Sequence, residues 1–372
     1  MAMGAGPLCV AQVIGKMVGG GVEAVVMNYY RHIDRSRVQF DFIIDSDSTV
    51  VPAEEIKDLG GRLFEVPPYQ HLGDYKRTLG QLLLKNGYPI VHSHINTLSV
   101  FPLSVAKKAG VPVRIAHSHA TMGKGEIGRN MMKLALRPFA NIYPTDRVAC
   151  SRYAGEWLFG KGVDFTVVPN ALELGRFQFS AAVRAEIRAA WNVGDDCCVV
   201  GNLGRMESAK NQAFLIDTFA HLHAKHDNVL LVLAGCGSLR ESLEKKVHDM
   251  GLDECVRFLG QVDDASGLYQ GMDVFALPSL YEGFGVALLE AQVSGVPCVA
   301  SSRVSPEVVI SDSCRLIPLE CGTDAWARAI WAQFAGRLRR AAEIDRFESF
   351  DIERAAEGLG SFYLSRIEGE RQ

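Results

Sequence analysis

The chain has 372 residues, 48% hydrophobic and 22% charged. This is globular composition, long enough for two domains of ordinary size. A net charge of -4 argues against wholesale nucleic-acid binding, and no apolar run approaches the roughly 18 residues of a membrane span. The opening MAMGAGPLCVAQVIG lacks a basic n-region, so no signal peptide is expected. There are nine cysteines and no Cys-x-x-Cys. Most, including Cys9, Cys150, Cys197, Cys198 and Cys298, lie in apolar, strand-like runs and read as reduced, buried residues of a cytosolic protein.

In chain order, LCVAQVI, FDFIID, RLFEV, IVHSHI, VRIAHS, RVACS and FTVVP read as strands. Helices at 23–32, 75–86, 97–108 and 128–139 fall between them. A second series follows, with strands CCVVGNLG, VLLVLAG, VRFLG, VFALPS and PCVAS and helices near 211–223, 239–250, 265–270 and 286–293. Such alternation predicts parallel sheets covered by helices on both faces. Two series predict two Rossmann-like, doubly wound α/β domains, with a break near 169–180 where the pattern lapses. A last helix, within DIERAAEGLGSFYLSRI, has no strand after it. Ligands of open parallel sheets bind beyond the carboxyl ends of the strands, so the informative residues should follow strands.

Four stretches meet that condition. Gly19, Gly20 and Gly21 open a helix, where the backbone can approach a ligand and the helix end favours anions; the plain alternative is a flexible turn. This triple glycine is not the dinucleotide Gly-x-Gly-x-x-Gly, and the chain holds no P-loop pattern. In GNLGRMESAKN, Arg205 ends a strand and Lys210 precedes a helix. Two cations there oppose the macrodipole and make better sense around a pyrophosphate than as a solvated basic loop. In SLYEGFGVALLEAQ, the amides of Gly283, Phe284 and Gly285 open a helix, and Glu282 and Glu290 offer carboxylates to hydroxyls, such as a ribose diol. Taken alone, Glu290 is an ordinary surface helix glutamate. The fourth stretch is two His-x-His pairs, His92/His94 and His117/His119. Alternate strand residues share a face, so either pair suits a metal. No carboxylate lies nearby in sequence to complete a ligand set, so none is expected. Each pair should hold one buried and one cleft-facing histidine.

The set IAHSH, VPNALE, GRMESAKN, RFLGQVDD and PSLYEGFGVALLEAQVSGVPCVAS, in this order after the triple glycine, resembles the family 4 glycosyltransferases. The likeness is greatest to the exopolysaccharide and capsule enzymes of bacteria. It implies the GT-B architecture, with two Rossmann-like domains facing across a cleft and a C-terminal helix crossing back to the first. The domains would be 1–172 with 352–372, and 173–351. The activity implied is retaining transfer of a hexosyl or N-acetylhexosaminyl group from a nucleoside-diphosphate sugar, with a lean towards UDP. The acceptor would be a hydroxyl of a glycan or lipid-linked molecule, and no metal or other cofactor would be needed. Catalytic roles would fall to Glu282 on the donor sugar, to Arg205 and Lys210 on the diphosphate, and to His117 near the reaction centre. Glu290 would hold the ribose, and Gly20 and Gly21 would meet phosphate or acceptor. The backbone of Leu259 to Val262 would read the base beside Gly235, with Gly283, Phe284 and Gly285 assisting and His119 a further candidate. Ala171 stands where the family often has glycine. A sugar epimerase of the same architecture and a two-domain sugar-binding protein are the rivals.

The segment 124–139 carries Arg129, Lys133 and Arg137 among Ile127, Met131, Leu134, Leu136 and Phe139. This suits a basic amphipathic helix on an anionic bilayer, against a solvated basic face with its apolar residues turned inward. The setting expected is the cytoplasm, at the inner face of the cell membrane.

Overall fold

The computed structural model describes residues 6–119, 127–262, 264–336 and 343–369, with 127–130 as backbone only. The chain folds into two compact units. Of the described residues, unit 1 holds 6–119, 127–172 and 349–369, and unit 2 holds those from 173 to 348.

Unit 1 holds seven parallel strands: β1 (Leu8–Gly15), β2 (Val38–Asp45), β3 (Arg62–Val66), β4 (Ile90–Ser93), β5 (Val113–Ser118), β6 (Asp146–Ala149) and β7 (Thr166–Val167). Their order is β3-β2-β1-β4-β5-β6-β7, so the winding reverses between β1 and β4. Near-continuous apolar runs form these strands because helices cover both faces. Two buried charges interrupt them, Asp41 and Asp45 in β2. Asp41 in β2 is buried and takes hydrogen bonds from Arg62, from Tyr88 at 2.7 Å and from Cys9 at 3.1 Å. Those partners hold its carboxyl below the usual range against the opposing effect of burial.

The chain re-enters unit 1 beside Leu172. That residue donates to Phe350 O at 2.8 Å and accepts from Ile352 N at 3.0 Å. The final helix, Ile352–Gly369, then packs on the helix Gly21–His32. Its buried Ile352, Ala356, Leu359 and Tyr363 recur at helical spacing and form the apolar stripe that docks it.

Unit 2 holds six parallel strands: β8 (Cys198–Leu203), β9 (Val229–Ala234), β10 (Val256–Gly260), β11 (Val274–Leu277), β12 (Cys298–Ser301) and β13 (Cys314–Ile317), in the order β10-β9-β8-β11-β12-β13. Here the winding reverses between β8 and β11. A buried ionic knot secures the N-terminal edge of these two strands. Asp273 accepts from Arg184 at 2.8 Å, from Arg188 at 2.9 Å and from Val199 N at 3.0 Å. Arg184 and Arg188 lie on the helix Ala181–Ala190, which sequence periodicity had not revealed. Strand β13 and the helices Ala53–Asp58, Arg152–Phe159 and Gly322–Ala335 were likewise not foreseen.

All nine cysteines are free. Five are buried, Cys9 and Cys255 are half-buried, and Cys236 and Cys321 are exposed, so the expectation of burial fails at the last two.

Candidate active site

In unit 2 the loops after β8, β9 and β11 meet. Gly235 (φ +130°) stands so close to the loop after β8 that a Cβ there would lie 2.2 Å from the Gly204 carbonyl oxygen. A Cβ on Gly237 would lie 2.4 Å from Met206 O. Only glycine allows these backbones to touch. Gly235 N also donates to Gly260 O at 2.7 Å, which sets Gly235 beside the β10 end that carries Leu259, ahead of Val262.

Arg205 is exposed at the tip of β8. The Lys210 side chain runs over Gly204, and its ammonium is ion-paired with Glu282, whose carboxylate also accepts from Ser279 Oγ at 2.8 Å. Two further bonds join the same loops: Leu280 N to Ala209 O at 2.8 Å and Asn211 Nδ2 to Pro278 O at 3.2 Å. The sequence assigned Lys210 and Glu282 to different ligand groups; the structure pairs them with each other.

Gly283, Phe284 and Gly285 are buried, and Gly285 (φ 92°) caps the helix Val286–Val293. This left-handed turn is the strain-free reason for a glycine there. Glu290, one turn into that helix, accepts from Tyr269 Oη at 2.7 Å. The residue keeps some exposure, yet its carboxyl is desolvated. Burial pushes its pKa up to about 7, against the opposing pull of the Tyr269 hydroxyl and the Lys210 charge. Glu290 is therefore no ordinary surface glutamate.

In unit 1, Gly20 caps the helix Gly21–His32. Glu23 folds back over that end: its carboxylate accepts from Val18 N at 2.8 Å and lies 2.6 Å from where a Gly20 Cβ would sit. The chain's own carboxylate thus occupies the ground where an anion was expected.

The four histidines lie on one face of β4, β5 and their extensions. Expected as one buried and one accessible member per pair, all four are buried. The reason is cover from the helices Gly21–His32 and Ile352–Gly369, whose Val25, Tyr29, Leu359 and Tyr363 line a narrow cavity with them. Rings stack at 3.8 Å for His117 with His119 and 4.2 Å for His92 with His94. Nitrogens meet at 3.1 Å between His92 and His117 and at 2.9 Å between His94 and His119. Tyr363 and Gln12 complete the chain at 2.6 Å from His92 and 2.8 Å from His94.

Desolvation drives His92 and His119 down to about 3 and takes His94 and His117 well below their ordinary value. All four rings are neutral at physiological pH. His92, His94 and His117 each bring a nitrogen within 4.8 Å of the others, a spacing a metal can use. However, His92 and His94 have both nitrogens engaged by protein partners, and a cation would have to break those bonds.

Sequence reasoning missed Gln12, Tyr363 and Tyr269. Gln12 was signalled as a polar residue inside the apolar LCVAQVI, whereas Tyr363 and Tyr269 carried no local mark.

The segment 127–139 corrects the inward-apolar alternative. Residues Ile127–Leu136 are helical, yet Met131, Leu134 and Phe139 are exposed, as is Ile142. Arg137 is half-buried and lies over the Trp157 ring at 5.6 Å. The side chains of Ile127 and Arg129, and residues 124–126, lie outside the described residues.

Two doubly wound parallel sheets, the second ending in ion-paired loops and a desolvated glutamate, are the α/β parts of the GT-B architecture. Residues 19–176 match the family model "Glycosyltransferase Family 4" and residues 197–334 match "Glycosyl transferases group 1". The chain is 36% identical over 80% of its length to the "Putative glycosyltransferase EpsF" of Bacillus subtilis, and covers 80% of that protein. It is 30% identical over 64% of its length to a GDP-mannose-dependent alpha-(1-6)-phosphatidylinositol monomannoside mannosyltransferase of Mycobacterium tuberculosis, again covering 64% of the relative. Among solved structures, HepE of Anabaena in complex with UDP-glucose superposes with a TM-score of 0.77 at 19% identity, over 95% of this chain and 99% of that one. The chain belongs to the family 4 glycosyltransferases. Among the described residues no helix is long and apolar enough to cross a membrane.

Proposed function

We propose that this glycosyltransferase is retaining and metal-independent, and that it moves a hexosyl or N-acetylhexosaminyl group from a UDP-sugar to a hydroxyl of a glycan or lipid-linked acceptor. The observation that carries the reading is the Lys210–Glu282 pair beside Arg205 and the Gly285-capped helix. An arriving diphosphate would draw the Lys210 ammonium away from Glu282. That exchange gives the diphosphate a cation and leaves Glu282 free to accept hydrogen bonds from sugar hydroxyls. Arg205, exposed and without an ion pair among the described residues, can grip two phosphate oxygens. Glu290, ionised by contact with hydroxyl donors, would hold the ribose diol. HepE was solved with UDP-glucose, while the mannosyltransferase relative is named for GDP-mannose; the UDP reading follows the sequence resemblance.

In the reaction the sugar–phosphate bond breaks, and its electron pair goes to the diphosphate. The acceptor oxygen bonds to the anomeric carbon on the same face and gives its proton to a diphosphate oxygen. Charge builds on the leaving group, so stabilising it is the main catalytic task. Glu282 positions the sugar. In unit 1 the Glu23 carboxylate beside Gly20 favours acceptor hydroxyls over phosphate at Gly20 and Gly21. The outward Met131, Leu134, Phe139 and Ile142 support peripheral contact with the inner face of the cell membrane, the setting of exopolysaccharide or capsule assembly.

A panel of nucleotide sugars, incubated with and without chelator and assayed for donor consumption, tests the reading. Transfer that survives the chelator is the expected outcome. Conversion of the donor to an isomer would indicate an epimerase. Binding without turnover would indicate a sugar-binding protein.

A further inference from the structure

Two loops of unit 2, after β8 and after β11, are held together at three points. Leu280 N donates to Ala209 O at 2.8 Å, Asn211 Nδ2 donates to Pro278 O at 3.2 Å, and the Lys210 ammonium pairs with Glu282. The second of these contacts comes from a residue in an unusual state. Asn211 has φ 56° and ψ 39°, left-handed backbone at the start of the helix Gln212–His223. A residue in that place is normally extended and turns its side chain onto the first helical amides. Asn211 does neither: its side chain makes no cap bond, and its amide reaches across to the other loop. Among the described residues, Asn96 and Asn192 are the only other non-glycine residues with positive φ. Asn192 follows the end of the helix Ala181–Ala190, where such a turn is ordinary.

We propose that Asn211 is a positioning residue: its left-handed turn and its tether to Pro278 hold Lys210 where the ammonium can pass from Glu282 to a diphosphate. The diphosphate rests on the glycosyltransferase reading; the placement of Lys210 does not. Residues Ser208–Lys210 form a 3-10 turn, and the helix begins one residue later. With right-handed backbone at 211 the two would run together, and Lys210 would take a helical position. The left-handed residue breaks that continuity. The Lys210 stem instead runs over Gly204, its Cε 3.1 Å from where a Cβ there would lie. The helix Val286–Val293 opens on the same kind of turn, made by Gly285 without strain. Asparagine adopts that backbone less freely than glycine, and it adds what glycine lacks, a donor for Pro278 O. Strained backbone persists where the surroundings enforce it. Here Asn211 O accepts from Phe214 N at 3.1 Å, and the buried Gln212 side chain donates to Arg205 O at 3.1 Å. When the ammonium leaves Glu282, the bonds to Ala209 O and Pro278 O remain, so the side chain moves while the loop stays.

Two variants of the full chain separate turn from tether. Asn211→Gly keeps the left-handed backbone and drops the amide; Asn211→Ala drops the amide and disfavours the turn. Assayed on a UDP-sugar, turnover should fall about 10-fold for Asn211→Gly, the scale seen when a supporting hydrogen-bond partner is lost. For Asn211→Ala it should fall about 100-fold, as when a catalytic group is displaced by roughly 1 Å. Both falls should shrink to less than about threefold in the Lys210→Ala background, because Asn211 acts through the ammonium. A residue that merely stabilised the fold would cost the same in both backgrounds. Crystal structures read the placement without turnover. The Lys210–Glu282 contact should persist in Asn211→Gly and be broken in Asn211→Ala.

Undiminished losses in the Lys210→Ala background overturn the proposal, as does an Asn211→Ala structure with the ion pair intact. If Asn211→Ala does not fold, Asn211→Gly decides alone: wild-type turnover there removes the tether and the proposal with it. A wild type that consumes no nucleotide sugar would instead sink the glycosyltransferase reading, and the structures would still decide the placement of Lys210.

Discussion

Units 1 and 2 share a winding but fill their strand ends in opposite ways. In unit 1 the groups at the β1/β4/β5 edge are four neutral imidazoles, an amide and a phenol, all buried. In unit 2 the β8/β11 edge carries an exposed guanidinium, an ammonium–carboxylate pair and a glutamate poised near neutrality. Burial explains the contrast. Without water, imidazoles lose their charge and satisfy one another, while the partly open loops of unit 2 keep theirs. One unit presents neutral groups at its strand ends and the other charged ones.

The contrast breaks most sharply if unit 2's cations do not matter. Arg205→Ala or Lys210→Ala should cut turnover by about two to three orders of magnitude, the scale of a lost anion-stabilising donor. Steady-state kinetics with both variants near wild-type turnover would remove the assignment. Next in size is a stability effect. Arg188→Ala strands the buried Asp273 charge and should destabilise by about 3–5 kcal/mol, read by denaturant unfolding; a loss under 1 kcal/mol would show that Arg184 compensates alone.

Acid should affect the units differently. Below about 6.5, unfolded histidines bind protons that the folded rings refuse. Stability of unit 1 is thus full above that pH and falls as pH drops towards 3, by ~1 kcal/mol per histidine between 6.5 and 5.5. Asp45, pushed up to about 6 by burial, acts in the reverse sense and offsets part of this. Glu290 likewise makes unit 2 gain as pH falls through about 7. Hydrogen exchange should therefore show β4 and β5 losing protection at pH 5.5 while β8 and β11 hold theirs. Equal loss in both sheets would contradict the difference in burial.

Smaller again is the effect on donor binding. If Glu290 receives the ribose as a carboxylate, affinity for UDP should weaken up to about tenfold per pH unit below 7, with proton release on binding. Calorimetry in buffers of different ionisation enthalpy measures that release. Its absence would take Glu290 off the ribose.

The parallel sheets were legible because their strands are short apolar runs separated by helical periods, from LCVAQVI to PCVAS. β13 escaped notice because CRLI carries a charge and little apolar length. The Ala181–Ala190 helix escaped because its arginines are themselves buried partners of Asp273 and blur the polar face. At the site, GRMESAKN and EGFG marked the right loops, since a glycine at a left-handed turn and a cation at a helix start are local signals. The Lys210–Glu282 pair spans 72 residues, and no local pattern announces it. The His-x-His spacing gave the shared face correctly. It could not give the burial, which is supplied by helices far away in sequence.

That distance has a bearing on biosynthesis. Tyr363 reaches its partner His92 across 271 residues, and the whole of unit 2 lies between them. On the ribosome, domains fold as their segments emerge, so the uninterrupted unit 2 can be finished while unit 1 still waits for its closing helix. During that interval the histidine face lacks the half of its cover that Leu359 and Tyr363 supply, so these imidazoles can gain protons that they must surrender when the last segment docks.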